Sequence, residues 1–121
     1  LDDALVEPGV VAVFENPSRG FYVVAECEDY IVAALMVTFE WSDWRNATFW
    51  WIQSVYVTPE FRRQGLYRRL YNFLRERARS EGSVCGFRLY VERNNLAAQR
   101  VYESLGMSAS DYLMYEEAVK S

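Results

Sequence analysis

From position 48 to position 67 the chain reads Thr48-Phe49-Trp50-Trp51-Ile52-Gln53-Ser54-Val55-Tyr56-Val57-Thr58-Pro59-Glu60-Phe61-Arg62-Arg63-Gln64-Gly65-Leu66-Tyr67. Its first ten residues are mostly aromatic and β-branched, the composition of a strand buried on one face and lining a pocket on the other. Thr58-Pro59-Glu60-Phe61 is a turn, because proline has no N–H for a strand ladder. A helix starts near Gly65, where Leu66, Leu70, Phe73, Leu74 and Ala78 recur at steps of three and four as one apolar stripe. A strand, a short turn carrying Arg62-Arg63-Gln64-Gly65 and a helix start are together the outline of a phosphate cradle. Helix N-termini offer amides with no intrahelical acceptor and about half a positive charge. Glycine allows close backbone approach, and arginine forks match phosphate oxygens in pairs. The loop is not a Walker A sequence, since no G-K-[ST] follows. It is not a G-x-G-x-x-G fingerprint either, since Gly65 stands alone.

Upstream, Phe21–Cys27 and Tyr30–Phe39 read as two strands of an antiparallel hairpin, separated by Glu28-Asp29. A polar connection, Trp41–Ala47, leads from them into the quoted strand. Before them, a short helix is expected between Val6 and Phe14, ended by Asn16-Pro17-Ser18-Arg19-Gly20. Downstream, Gly82 ends the arginine-rich helix and Gly86–Glu92 forms a strand. Leu96–Leu105 is a second amphipathic helix, with Leu96, Val101 and Leu105 as its core positions and Gly106 as its stop. Tyr112-Leu113-Met114-Tyr115 reads as a last strand. The order β-β-β-α-β-α-β predicts a mixed α/β layer forming one domain over residues 1–121.

Composition narrows the chemistry. The chain has 121 residues, 51% of them apolar, enough to bury a core. It contains no histidine, which removes Ser–His–Asp triads, Cys–His pairs and histidine-ligated zinc; two cysteines cannot hold a metal alone. Cys27 and Cys85 lie in apolar, strand-like runs and are expected to be buried, reduced thiols in a cytoplasmic setting. Glu26, Glu28 and Asp29 interrupt the apolar stretch from Phe21 to Phe39, so it is no membrane span. A net charge of −4 argues against nucleic acid as a partner. Seven of the thirteen basic residues nevertheless fall between positions 62 and 79. Arg75, Arg77 and Arg79 read as a solvated helix face, whereas Arg62, Arg63 and Arg68 surround the glycine.

Val57–Tyr67 resembles the acetyl-coenzyme A motif of the GNAT superfamily of N-acetyltransferases, [QR]-x-x-G-x-[GA]. Arg62 and Gly65 match its first two fixed positions, and Tyr67 departs from its final small residue. Asn95–Met107 resembles a second segment of that family, N-x-x-A-x-x-x-Y-E-x-x-G-[FM]. The resemblance implies a mixed, mostly antiparallel central sheet with flanking helices, and acetyl-CoA as co-substrate. It implies that Arg62, Arg63 and the amides of Gln64, Gly65, Leu66, Tyr67 and Arg68 hold the pyrophosphate. Val55, Tyr56 and Val57 would pair with the pantetheine arm as an added strand, with an N–H near Val57 on the thioester carbonyl. Asn95 would touch the cofactor arm, and Tyr102 would donate a proton to its sulfur. The family normally opens with a strand and a helix ahead of the helix near Val6, so the chain is expected to lack them. A missing edge element favours a partner chain there, as in a homodimer.

Acetyl transfer to an amine also needs a proton acceptor, because an alkyl ammonium has a pKa near 10. Many relatives carry a carboxylate on the strand before the loop, where this chain has Gln53 and Ser54. Glu40 and Asp43, flanking Trp41–Trp44, are the nearest acidic candidates, and a water path to Glu92 or to bulk solvent is the alternative. Glu40, Asp43, Trp44 and Gln53 are therefore the substrate-side candidates. The acidic charge outside the helix favours a cationic acceptor, with Trp41, Trp44, Trp50, Trp51 and Tyr56 as stacking surfaces. A small primary amine, polyamine-like, is the first expectation. A peptide N-terminus or lysine is an alternative, as is a regulatory module that binds acetyl-CoA without turnover.

Overall fold

A computed structural model describes residues 16–119. The elements are β1 (Gly20–Cys27), β2 (Tyr30–Ser42), β3 (Ala47–Val57), a single 3₁₀ turn (Pro59–Phe61), α1 (Leu66–Glu81), β4 (Val84–Arg88) and α2 (Leu96–Ser104). The expected helix near Val6 lies outside the described residues. Contacts divide the chain into two compact units, residues 1–90 and 91–121.

In the first unit the sheet order is β1-β2-β3-β4. β1, β2 and β3 form an antiparallel meander, and α1 carries the chain across so that β4 runs parallel to β3. The β1–β2 hairpin closes on Glu28 and Asp29, at φ of 49° and 70°, the positive values that tight hairpin turns demand. β2 and β3 run further toward each other than their apolar stretches suggested. Trp41 and Ser42 belong to β2, so only residues 43–46 connect the strands.

One face of the sheet packs on α1. Val23, Leu35, Val37, Trp50 and Ile52 are buried there beneath Leu70, Tyr71, Leu74 and Ala78. Phe21 and Phe87 meet the Trp50 ring at centroid distances of 5.0 and 6.1 Å. Trp50, 2% exposed, is a core residue and no stacking surface for a substrate. The α1 stripe is rotated from its expected position: Tyr71 is buried, 5.4 Å from the Phe87 ring, whereas Phe73 faces solvent. The large aromatic β4 side chain draws the next residue of the turn into the interface.

Several other expectations fail. β4 spans Val84–Arg88 rather than Gly86–Glu92. Cys85 is exposed and Cys27 half-buried, and both are free thiols rather than core residues. In the second unit Leu105 is buried, but Leu96 and Val101 are 56% and 45% exposed. No strand forms over Tyr112–Tyr115; these residues are irregular and exposed. No described helix is long and apolar enough to cross a membrane.

Candidate active site

The β3–β4 ladder runs only from Thr48↔Val84 to Trp51↔Arg88. Among the described residues β3 then continues to Val57 paired with β2 alone, leaving its other edge unpaired. A bulge marks the divergence. Met36 pairs with Gln53 but Ala34 with Tyr56, which places one extra β3 residue opposite Leu35. Ser54 sits in this bulge at φ 51°. Bulges bend a strand and end its pairing, and beyond this one Val55 and Tyr56 are 41% and 52% exposed. Sequence alone carries no signal for it, because serine is not a residue that announces positive φ.

The turn after β3 is held by backbone and side-chain bonds. Thr58 N–H donates to the Val32 carbonyl at 2.9 Å, and Arg62 Nε donates to the Val57 carbonyl at 3.1 Å. Gln64 Nε2 donates to the Glu60 carbonyl at 3.0 Å. The Arg62 side chain thus braces the loop against the end of β3. Arg63 and Gly65 both take left-handed conformations, φ 64° and 74°, and alternating backbone hands of this kind turn successive amides into an anion-binding nest. A Cβ built on Gly65 would meet nothing within 4 Å. The glycine is therefore there for its backbone conformation, and the space in front of it is open. α1 begins with no side-chain cap and no acidic residue in its first turn. Sixteen residues of aligned peptide dipoles end at this open cradle.

The remaining arginines of α1 behave as a solvated face. Arg75 lies over the Tyr71 ring and donates to Asn72, Arg77 lies over the Phe21 ring and pairs with Glu81 at 3.8 Å, and Arg79 pairs with Glu76. Arg62, Arg63 and Arg68 are exposed around Gly65.

On the sheet face opposite α1, at the point where β3 and β4 part, sits a polar cluster. Trp51 Nε1 donates to Glu40 Oε1 at 2.9 Å, and Arg88 Nη1 donates to the same oxygen at 2.8 Å. The Trp51 indole bond, with the Arg88 and Arg45 charges, holds the Glu40 carboxyl below the usual carboxylate range. Glu40 is therefore a fixed anion, poorly suited to take up a proton. Arg88 lies 3.6 Å over the Phe49 ring, and Tyr90 stacks on Trp51 with centroids 4.5 Å apart. Gln53 donates to Thr38 Oγ1 at 2.8 Å. Asp43 and Trp44 lie apart from this cluster, in the hairpin tip. Asp43 Oδ1 accepts from Trp44 N–H at 2.8 Å, and the Trp44 ring is 93% exposed. Arg88 and Tyr90 went unnoticed in the sequence because their importance comes from register, with Arg88 beside Trp51.

In the second unit Asn95 caps α2, its Oδ1 accepting from Ala98 N–H at 3.1 Å. Gln99 braces the entry by donating to the carbonyls of Glu92 and Arg93 at 3.1 and 2.9 Å. Tyr102 is half-buried, and burial pushes its phenol above the ordinary tyrosine value. It stays protonated through the neutral range.

The family model described as "Acetyltransferase (GNAT) family" matches residues 3–107. Among solved structures, a possible acetyltransferase from Clostridium difficile 630 is 44% identical, with a TM-score of 0.93, over 100% of this chain and 80% of that one. An aminoglycoside acetyltransferase from an uncultured soil metagenomic sample, in complex with sisomicin, shares the fold at 15% identity and a TM-score of 0.77, over 93% of this chain and 74% of that one. A glucosamine-6-phosphate N-acetyltransferase from Arabidopsis thaliana does so at 23% identity and a TM-score of 0.71, over 96% and 78%. Comparison with curated proteins finds no match.

Proposed function

The chain belongs to the GNAT acetyltransferase family, and from that premise we propose that it transfers the acetyl group of acetyl-CoA to a primary amine, a small cationic one. The family match spans both compact units, which supports treating residues 1–121 as one transferase domain. The observation that carries the proposal is the pairing of an open strand edge with an open amide cradle. The unpaired edge of β3 after Trp51 leads directly into the Arg63–Gly65 nest and the uncapped start of α1.

These residues fit the coenzyme. A diphosphate matches the nest, the helix dipole and the exposed Arg63 and Arg68. An amide-bearing pantetheine arm matches the strand edge at Val55–Val57, as peptides match exposed edges. Acetyl-CoA supplies an acyl carbonyl activated as a thioester, with a thiolate leaving group. The chain's own part is to hold and polarise. Amides from Gln64 to Arg68 would hold the phosphates, and an N–H near Val57 would stabilise negative charge on the acyl oxygen. Arg62, bonded to the Val57 carbonyl, keeps strand and loop in register for both tasks. By the family resemblance, Asn95 would contact the cofactor arm and Tyr102 would supply a proton to the thiolate leaving group. Burial raises the phenol's pKa, so its proton is in place at neutral pH.

On the acceptor side, Trp51 and Tyr90 offer an aromatic flank for an ammonium, while the Glu40 charge is already met by Arg88. The ammonium proton leaves through water. A second reading has its own support: Gln53, bonded to Thr38, is no base, which suits a module that binds acetyl-CoA without turnover. Free-thiol release from acetyl-CoA, measured with the full chain over a panel of polyamines, aminosugars and peptides, separates the two. Turnover is expected with a small cationic amine, and Tyr102→Phe should lower it by about 10²-fold or more. Coenzyme binding without thiol release on any amine would favour the module.

A further inference from the structure

The last rung of the β3–β4 ladder is Trp51↔Arg88, and among the described residues β3 goes on from there paired only with β2. Strands that part in this way need something to set how far they part. Left to the backbone alone, an open edge tends to go on pairing and a terminal rung tends to fray.

The side chains at this rung form a tie across three strands. Glu40 on β2 receives Trp51 Nε1 from β3 at 2.9 Å and Arg88 Nη1 from β4 at 2.8 Å, both on Oε1. Two interstrand spacings separate β2 from β4, roughly 10 Å, so the Arg88 side chain crosses the whole of β3 to reach its partner. It does so over the Phe49 ring, with 3.6 Å from Cζ to the ring centroid. Gly86 makes room for that ring, since a Cβ there would stand 3.2 Å from Phe49 Cε1. Tyr90, just past the end of β4, stacks on Trp51 with centroids 4.5 Å apart. Both arms of the fork are therefore held to one carboxylate oxygen. Water reaches the ion pair, whose Arg88 and Glu40 side chains are 32% and 47% exposed, so it adds little to global stability. What it fixes is geometry.

We infer that Glu40 and Arg88 are positioning residues: with Trp51 they clasp β2, β3 and β4 at the base of the fork and set the width of the space beside Val55–Val57. The inference rests on the acetyl-CoA reading proposed above, in which the pantetheine arm fills that space. Such a clasp acts on the arm alone. In the same reading the diphosphate lies beyond the end of β3, on the Arg63–Gly65 nest, which the clasp does not touch.

Coenzyme A carries both parts and ADP only the diphosphate, so calorimetric titration of each into the full chain tests the assignment. Glu40→Gln and Arg88→Gln, folded as judged by circular dichroism, should each weaken coenzyme A binding about tenfold or more and leave ADP binding within about twofold of the wild type. The double variant should bind no more weakly than either single one, because the second change finds the clasp already open. Arg88→Lys, which keeps a cation facing Glu40, should recover most of the loss. Unchanged coenzyme A affinity in both single variants would overturn the inference. So would equal losses for coenzyme A and ADP, or losses that add in the double variant. A wild type that binds no coenzyme A would overturn the acetyl-CoA reading itself, and the role of the clasp with it.

Discussion

Ser54 holds a left-handed conformation in the bulge of the β2–β3 pairing, just beyond the end of the β3–β4 ladder at Trp51. An L-residue there costs roughly 1–2 kcal/mol relative to its preferred regions. Ser54→Gly should therefore raise unfolding free energy by about 0.5–1 kcal/mol in urea titration, and Ser54→Val should lower it. Glu40 makes a pH-dependent contribution. Its folded pKa is depressed, so its stabilising effect is present above the ordinary carboxylate pKa and is lost as pH falls through the lower folded value. Glu40→Gln should accordingly flatten the acid limb of stability while leaving the alkaline limb unchanged, read by melting temperature against pH. Tyr102 runs the other way. Its raised pKa keeps the phenol protonated to higher pH than an ordinary tyrosine, so the alkaline fall of kcat/KM should lie beyond the ordinary tyrosine value and vanish in Tyr102→Phe. At this scale the turn at Gly65 and the Asn95 cap of α2 were legible in the sequence, while the roles of Arg62, Gly65, Asn95 and Tyr102 toward acetyl-CoA rest on the family resemblance. Ser54, Arg88 and Tyr90 were not, since their roles arise from a bulge and a register that no local residue type encodes.

Elements were read better than their edges. The two-residue hairpin turn at Glu28-Asp29 and the helix following Gly65 stand where the sequence put them, because turn chemistry and periodicity are local properties. The face of α1 was displaced by one residue, since apolar spacing cannot distinguish Tyr71 from Phe73 until Phe87 arrives on the neighbouring strand. This difference is measurable. Leu74, fully buried, should cost about 2–5 kcal/mol as Leu74→Ala. Phe73→Ala, at a side chain 54% exposed, should cost well under 1 kcal/mol by the same denaturation assay. The strand expected at Tyr112–Tyr115 failed for a related reason. Composition can mark a segment as fit for pairing, but a strand exists only where another edge receives it.

The whole molecule joins an acidic chain to a single basic corner. Seven arginines in eighteen positions surround or follow the Gly65 cradle, while the net charge remains −4. That division suits a transferase whose donor carries phosphates and whose acceptor is cationic, each attracted to its own region. Fold and family could be read in the sequence because two motifs state them locally, at Arg62–Gly65 and Asn95–Met107. The proposed acceptor side could not, because the cluster around Trp51 is assembled by strand register. The central claim is that the amides opening α1 grip a diphosphate, and thermal unfolding of the full chain with and without acetyl-CoA tests it most directly. At a hundredfold excess over Kd the coenzyme should stabilise by about 2.7 kcal/mol, roughly 10 °C for a domain of this size. Gly65→Glu, folded as judged by circular dichroism, should show no shift. An unmoved wild-type melting temperature at millimolar acetyl-CoA, or an equal shift in the folded Gly65→Glu variant, would contradict the account.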